Sequence, residues 1–171
     1  MNGDGYADVI VGAFQYDNGE EGEGAAFVWY GSASGLGPDG TPANADWSAE
    51  SDQGSTHLGI SVATAGDVNG DGFSDVIVGA DVYSLGPTFG AAFVFFGSAS
   101  GLGPNGTPAN ADWKAESPRC GGAGNYGAWV GTAGDVNGDG FSDVIVGADA
   151  DGGCVPVGGI LIGTDGRTFV W

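Results

Sequence analysis

The run Asp67-Val68-Asn69-Gly70-Asp71-Gly72-Phe73-Ser74-Asp75 leads straight into the apolar stretch Val76-Ile77-Val78-Gly79-Ala80, and the same pattern returns from Asp135 to Ala148. A third copy, without its first residue, opens the chain at Asn2-Gly3-Asp4-Gly5-Tyr6-Ala7-Asp8. Aligning Asn2, Asn69 and Asn137 gives spacings of 67 and then 68 residues. A fixed period of this length marks repeated supersecondary units, each long enough for about four short strands and their turns.

The residues between the acidic runs fit strands. In the first unit, Asp8 to Gly12 and Ala25 to Tyr30 are short apolar strands, and Ala45 to Glu50 reads as an edge strand with Trp47 on its buried face. Leu58 to Ala65 is the strand that feeds the next acidic run. The second unit repeats this order with Ala91 to Phe96, Ala111 to Glu116 and Gly127 to Ala133. Its loop from Gly97 to Trp113 copies Gly31 to Trp47 with one change, Asn105 for Asp39. The third unit keeps its acidic run and first strand, has a longer connection from Asp149 to Asp165, and restores the Gly-x-x-Phe-Val-aromatic strand at Gly166 to Trp171. The expected organisation is a single repeat region, 1–171, with a partial unit over about 1–50, a unit over about 57–116 and a partial unit over about 125–171.

Composition supports an all-β chain. Thirty-seven glycines in 171 residues, with few Leu, Lys and Glu, make poor helix and suit tight turns, so almost no helix is expected. Aromatic and Val/Ile content argues against disorder. A four-stranded sheet with a flat apolar face cannot bury itself, whereas sheets stacked face to face around an axis can. Propellers need at least four blades and this chain supplies between two and three. The expectation is a partial propeller, either a piece of a longer protein or a ring completed by oligomerisation.

The net charge of −19 comes from 22 acidic residues against Lys114, Arg119 and Arg167. Such a surface repels nucleic acid and anionic membranes and attracts multivalent cations. No apolar run long enough to span a membrane is present, so no membrane insertion is expected.

In Asp67-x-Asn69-x-Asp71-Gly72-Phe73-x-Asp75, side-chain oxygens fall at positions 1, 3, 5 and 9, position 7 offers a carbonyl, and glycine at position 6 permits a sharp turn. Hard oxygen donors, three of them carboxylates, suit Ca²⁺ better than a transition metal. A helical Ca²⁺ loop needs an acid at position 12 followed by an amphipathic helix; here position 12 is Val78 or Val146 within a β-branched run, so the loop joins two strands.

This pattern, preceded by Leu58-Gly59 or Tyr126-Gly127 and followed by Gly-Ala-Ala-Phe-Val-x-x-Gly in the second unit, resembles the FG-GAP repeat of integrin α-subunit β-propellers and their bacterial relatives. The resemblance implies blades of four antiparallel strands, each with a Ca²⁺ loop between its first and second strands. It assigns as ligands Asp67, Asn69, Asp71, the Phe73 carbonyl and Asp75, then Asp135, Asn137, Asp139, the Phe141 carbonyl and Asp143. Asn2, Asp4, Tyr6 and Asp8 form a weaker or empty first site, because position 1 is missing. The Gly-Ala-Pro part of the motif is degenerate: Gly-Ala is followed by Phe14, Asp81 and Asp149.

In such a blade, the connections that hold Cys120 and Cys154 emerge on one face, and the resemblance implies a disulfide between them; two free buried thiols are the alternative. The same enlarged loops, Ser117 to Tyr126 and Asp149 to Gly159, break the repeat and are where a protein or glycan ligand is expected. Of the tryptophans, Trp29 and Trp171 share a repeated position with Phe95 and are expected in the core, while Trp129 stands out, facing a small residue in the sister unit. His57 has no counterpart and reads as a solvated loop residue. Asn105-Gly106-Thr107 is a sequon for N-glycosylation in a eukaryotic host.

The function implied is a non-enzymatic, Ca²⁺-stabilised, extracellular or cell-surface propeller segment acting in adhesion or as an interaction scaffold. A carbohydrate-binding propeller is the alternative. One unrepeated histidine offers no Ser/His/Asp set for catalysis.

Overall fold

A computed structural model describes residues 1–37, 39–84, 89–116, 125–148, 160–162 and 168–170. Among the described residues the chain is all β, and its one helical piece is a 3₁₀ turn at Pro42–Asn44. Proline at the first helical position supplies the fixed φ that starts such a turn.

Strands β1 (Val9–Ala13), β2 (Ala25–Trp29) and β3 (Trp47–Glu50) form one antiparallel meander. The next, β4 (Leu58–Gly66), β5 (Asp75–Ser84), β6 (Phe89–Phe95) and β7 (Trp113–Glu116), is a complete four-stranded blade. The third comprises β8 (Tyr126–Gly134), β9 (Asp143–Ala148), β10 (Ile160–Ile162) and β11 (Thr168–Val170). Registers repeat between blades: Thr64 faces Val76 in the second, and Thr132 faces Val144 in the third.

One strand departs from expectation. Ile160–Ile162 takes the place beside β9, and Thr168–Val170 lies one strand further out. The Phe-Val repeat alone could not reveal this, because Ile-Leu-Ile is itself a strong β segment within hairpin reach of Val144–Val146.

Successive blades touch through single parallel pairs, Gly24 with Leu58 and Gly90 with Tyr126. Here glycine is compulsory. A Cβ on Gly12 would lie 2.0 Å from the Gly59 carbonyl oxygen, and one on Gly79 would lie 2.0 Å from that of Gly127. Gly59 and Gly127 themselves adopt φ of +84° and +90°, which opens a bulge in β4 and in β8. Ala25 and Ala91 carbonyls fill the space a side chain there would need.

This close approach lets the sheets pack face to face. Ala26, Val28, Trp47 and Ala49 of the first blade bury against Val76, Val78, Phe93 and Phe95 of the second, with Trp47 meeting Phe95 edge-on at 5.0 Å. The other face of the second blade, with Ile77, Ala92 and Val94, meets Tyr126, Val144 and Val146 of the third. Alternate residues of β5 and β6 therefore serve different neighbours, which is why both strands read as continuous apolar runs. Outward positions on the first blade (Val9, Val11) and the third (Ile145, Trp129) remain exposed.

The blade-to-blade seam predicts a sharp contrast between two glycines. Gly79→Ala should destabilise the chain by about 3 kcal/mol through overpacking. Gly40→Ala, where no atom lies within 4 Å, should change stability by no more than about 0.5 kcal/mol. Urea denaturation of the two variants checks this, and equal midpoints would contradict the seam.

Candidate functional site

The acidic runs at Asp67 and Asp135 each form the turn between the first and second strands of their blade, and the run at Asn2 leads into β1. Gly66 and Gly134, at φ of +79° and +70°, place a second bulge where β4 and β8 end and swing the chain into the loop. Thr64 and Thr132 brace that corner: each hydroxyl accepts the N–H of Gly66 or Gly134 and donates to the carbonyl of Asp75 or Asp143.

Inside the loop, the Asp67 carboxylate faces a nest of backbone donors. Its Oδ1 accepts from Gly70 N–H at 2.7 Å and Asp71 N–H at 3.1 Å, and its Oδ2 from Gly72 N–H at 2.8 Å. Asn69 Oδ1 accepts from Asp71 N–H at 2.9 Å, while Asp71 Oδ1 accepts from Phe73 N–H at 2.9 Å. Asp135, Asn137 and Asp139 repeat every one of these bonds, with Phe141 N–H in the place of Phe73 N–H. In the first loop Asn2, Asp4 and Tyr6 N–H keep the part of the pattern that needs no position 1. Gly70 and Gly72 hold φ of +77° and +88°, so the turn that brings positions 1, 3 and 5 together depends on them.

Position 9 behaves differently. Asp75 is fully buried; its Oδ2 accepts from Val68 N–H at 2.8 Å and its Oδ1 from Gly97 N–H at 2.8 Å. It therefore ties the start of the loop to the end of β6. Burial pushes its carboxyl up to about 6, opposed by the Gly97 and Val68 bonds and reinforced by the charges of Asp71 and Asp67. Asp143 is buried alike and accepts from Val136 N–H at 2.8 Å. At Asp8, Gly31 N–H and the Met1 ammonium take the two corresponding places, at 3.0 and 3.3 Å.

The loops also touch one another. Phe73 lies over Gly3 and Phe141 over Gly70, where an added Cβ would come within 2.5 and 2.4 Å of the rings. Ser142 clamps the preceding loop, donating its N–H to the Asp67 carbonyl at 2.8 Å and accepting Asp67 N–H on Oγ at 3.2 Å.

Among the described residues, no three carboxylate, imidazole or thiol groups meet as a metal-ligating cluster. In the loops at Asp67 and Asp135 the side chains of positions 1, 3 and 5 fold over the same turn of backbone N–H groups, whereas position 9 bonds the backbone beyond the turn. The donor set nevertheless fits a hard cation. Every side-chain donor is oxygen; Asp67 Oδ1 and Asp135 Oδ1 already accept two N–H groups each, whereas Asp67 Oδ2, Asp71 Oδ1, Asp135 Oδ2 and Asp139 Oδ1 each accept one and retain a further lone pair.

At the opposite ends of the strands lie features that sequence reasoning missed. His57, expected to be solvated, is half-buried: its Nδ1 pairs with Asp81 Oδ1 at 3.0 Å and its ring meets Phe14 edge-on. Asp81 lies across the β4–β5 pair of the same blade, next to the Leu58–Ala80 partners, a placement set by strand register. Buried Glu23 accepts Asn18 N–H, and burial raises its pKa, with the nearby Glu50 and Glu20 charges adding to the shift. A groove of about 440 Å³ on the first blade is bordered by Tyr16, Asn18, Phe27, Pro42, Ser48 and Glu50. Trp29 and Trp47 are buried, and Trp129 is 69% exposed. Cys120, Cys154, Trp171 and most of the enlarged loops of the third unit lie outside the described residues.

A family model described as "FG-GAP repeat" matches residues 58–95 and 126–170. This chain carries FG-GAP repeats. The two matched stretches begin at β4 and β8, the strands whose Leu58-Gly59 and Tyr126-Gly127 pairs form the seams. Integrin alpha-7 of Rattus norvegicus is 35% identical over 152 residues, covering 88% of this chain and 12% of the relative. Integrin alpha-3 of Mus musculus is 34% identical over 103 residues, 60% of this chain and 9% of the relative. Integrin alpha-6 of Homo sapiens is 32% identical over 102 residues. The chain thus spans about a tenth of the length of the curated relatives it matches. No helix among the described residues is long and apolar enough to cross a membrane.

Because Asp75 satisfies two buried backbone N–H groups, Asp75→Asn should cost about 1–3 kcal/mol even with chelator present, as its amide nitrogen would face one of those donors. Denaturation in excess chelator measures this. A loss seen only with metal present would show that Asp75 acts solely as a ligand.

Proposed function

We propose that the chain is a non-enzymatic, Ca²⁺-stabilised segment of an extracellular or cell-surface propeller, acting as an adhesion or protein-interaction scaffold. The observation that carries the reading is the loop geometry repeated, bond for bond, at Asp67–Asp75 and Asp135–Asp143 in a chain whose curated relatives are integrin alpha chains. Asp67, Asn69, Asp71 and the Phe73 carbonyl would hold the ion in one loop, and Asp135, Asn137, Asp139 and the Phe141 carbonyl in the other. Asp75 and Asp143 would close each site through the lone pairs left by their backbone bonds. The loop at Asn2, Asp4, Tyr6 and Asp8 lacks position 1 and would bind more weakly.

A bound divalent cation would offset the crowding of carboxylates in each loop and fix the turn between first and second strands. Its contribution is to stability: the protein residues hold the ion, and the ion holds the blade corners. The non-enzymatic reading is supported by the use of these acids within their own loops. A protein ligand is favoured over a glycan, because the relatives are integrins and two of the tryptophans that could stack on a sugar, Trp29 and Trp47, are buried. The open outer faces with Val9, Val11 and Ile145 would be covered by further repeats or by self-association that completes the ring.

At a Ca²⁺ concentration 100 times Kd, each occupied loop should add about 2.7 kcal/mol, or roughly 5–10 °C in melting temperature. Asp67→Ala and Asp135→Ala should each remove part of that gain, and the double variant nearly all of it. Calorimetry with Ca²⁺ and with chelator decides; identical melts would sink the proposal.

A further inference from the structure

The loop between β6 and β7, residues 97–112, acts as a strap between blades. It leaves its own blade and lies along the outer edge of β3. Gly106 N–H donates to Ser48 carbonyl at 2.8 Å, and Glu50 N–H donates to Gly106 carbonyl at 3.1 Å, a parallel strand contact centred on Ala49. Asn105 Oδ1 accepts Ser48 N–H at 3.4 Å, and Trp47 Nε1 donates to Pro104 carbonyl at 3.0 Å. Leu102, 6% exposed, is buried in the core shared by the two blades, and its N–H donates to the Tyr30 hydroxyl at 2.8 Å. The strap thus holds the strand Trp-Ser-Ala-Glu by backbone bonds, an indole and one apolar anchor.

The first blade carries the same strap, and among the described residues no strand lies along it. Residues 31–37 and 39–46 repeat 97–103 and 105–112 except that Asp39 replaces Asn105. Its internal bonds are already made. Ser32 Oγ donates to Gly35 carbonyl at 2.7 Å, as Ser98 does to Gly101 at 2.7 Å. Asn44 Oδ1 accepts Thr41 N–H at 2.9 Å, as Asn110 accepts from Thr107 at 2.6 Å, and the Asn44 amide donates to the Asp39 carbonyl as that of Asn110 does to Asn105. What differs is the docking surface. Leu36 is 43% exposed where Leu102 is buried, and Gly40 has no atom near it, whereas a Cβ on Gly106 would lie 2.7 Å from both Phe95 and Trp47.

We propose that residues 31–37 and 39–46 are a preformed docking arm for the outer edge strand of another blade, one that reads Trp-Lys-Ala-Glu. The backbone part follows from the occupied twin. Selection for lysine follows from the single difference between the straps. Asn105 Oδ1 sits against the backbone of Ser48; at the same place Asp39, whose Oδ1 accepts the Asn44 amide at 2.6 Å, would set a negative charge beside a lysine following the tryptophan. The chain itself shows that such strands exist: β7 reads Trp113-Lys114-Ala115-Glu116 where β3 has Trp47-Ser48-Ala49-Glu50. Because the arm is ordered before it docks, little conformational entropy opposes binding, and main-chain pairing supplies the contact as in other edge-strand additions.

This inference deepens the proposal that further repeats or copies complete the ring, and it can be tested apart from it. Synthetic peptides with the sequences of residues 45–51 and 111–117 are titrated into the ¹⁵N-labelled full chain, with a scrambled peptide as control. The expected result is saturable shifts of the amides of 32–37 and 39–44, with the lysine peptide binding about two- to fivefold tighter at low salt. Asp39→Asn should abolish that preference, and Gly40→Val should abolish binding while leaving the remaining spectrum unchanged. No saturable shifts at millimolar peptide, or shifts that survive Gly40→Val, would overturn the docking arm. Native mass reports on ring assembly separately: a monomer that still binds the peptides keeps the arm and removes self-assembly, whereas a defined oligomer that ignores the peptides and persists unchanged in Gly40→Val keeps self-assembly and removes the arm.

Discussion

Two backbones pressed together without side chains govern this fold. Where the second strand of one blade's hairpin passes the first strand of the next, Gly12 meets the carbonyl of Gly59, and Gly79 meets that of Gly127, at distances that leave no room for a Cβ. The approach brings neighbouring sheets near enough for single layers of Val, Ile, Phe and Ala to fill the space between them at interior density. It also requires the chain to enter each blade through a glycine at positive φ, which bulges β4 and β8 at the same place. Glycine abundance, which costs conformational entropy everywhere, is thus concentrated in this chain where the repeat needs it.

The seam has consequences at both ends of the strands. It fixes each acidic loop next to its neighbour, so that Phe141 can lie over Gly70 and Ser142 can bond to Asp67. The rim is consequently a connected row of loops. On the outer side, the same juxtaposition lets the loop 97–112 reach β3 and add to its edge. An exposed strand edge invites pairing with any other chain, and the strap limits that by covering the edge of the blade before it. Blade cohesion therefore has an apolar component between sheet faces, a polar component along the rim and a backbone component along the outer edge.

Much of this was legible in the sequence because a repeat supplies internal comparison. The period of 67 and 68 residues marked the chain as repeated, the β-branched runs located central strands, and Trp47 on its buried face followed from alternation. The loop residues that gather at positions 1, 3 and 5 were also identifiable, since spacing and glycine placement determine a turn locally. Long-range facts were less accessible. Spacing assigned Asp75 to its loop as a ligand, and only the fold adds that its two oxygens accept from Val68 and Gly97, the latter 22 residues away. His57 is the sole histidine, so its pairing with Asp81 across the β4–β5 register had no sister pair to announce it. Ile160–Ile162 fell where the repeat is interrupted, and comparison with the sister units had nothing to align.

The two straps show how identical sequence acquires different roles. Local bonds from Ser, Thr and Asn side chains fold residues 31–37 and 39–46 into the same shape as 97–103 and 105–112, so that shape is a local property of the sequence. Burial of Leu102 and exposure of Leu36 come instead from what each blade has beside it. A repeat protein must therefore encode its interfaces in every unit, including those for which a given stretch of chain provides no neighbour. Duplication preserves such interfaces by default, and a single substitution such as Asn105 to Asp39 is enough to give one of them a different electrostatic preference. Specificity between blades can then diverge through a few edge positions while the glycine seam, which tolerates no side chain at all, holds the architecture constant.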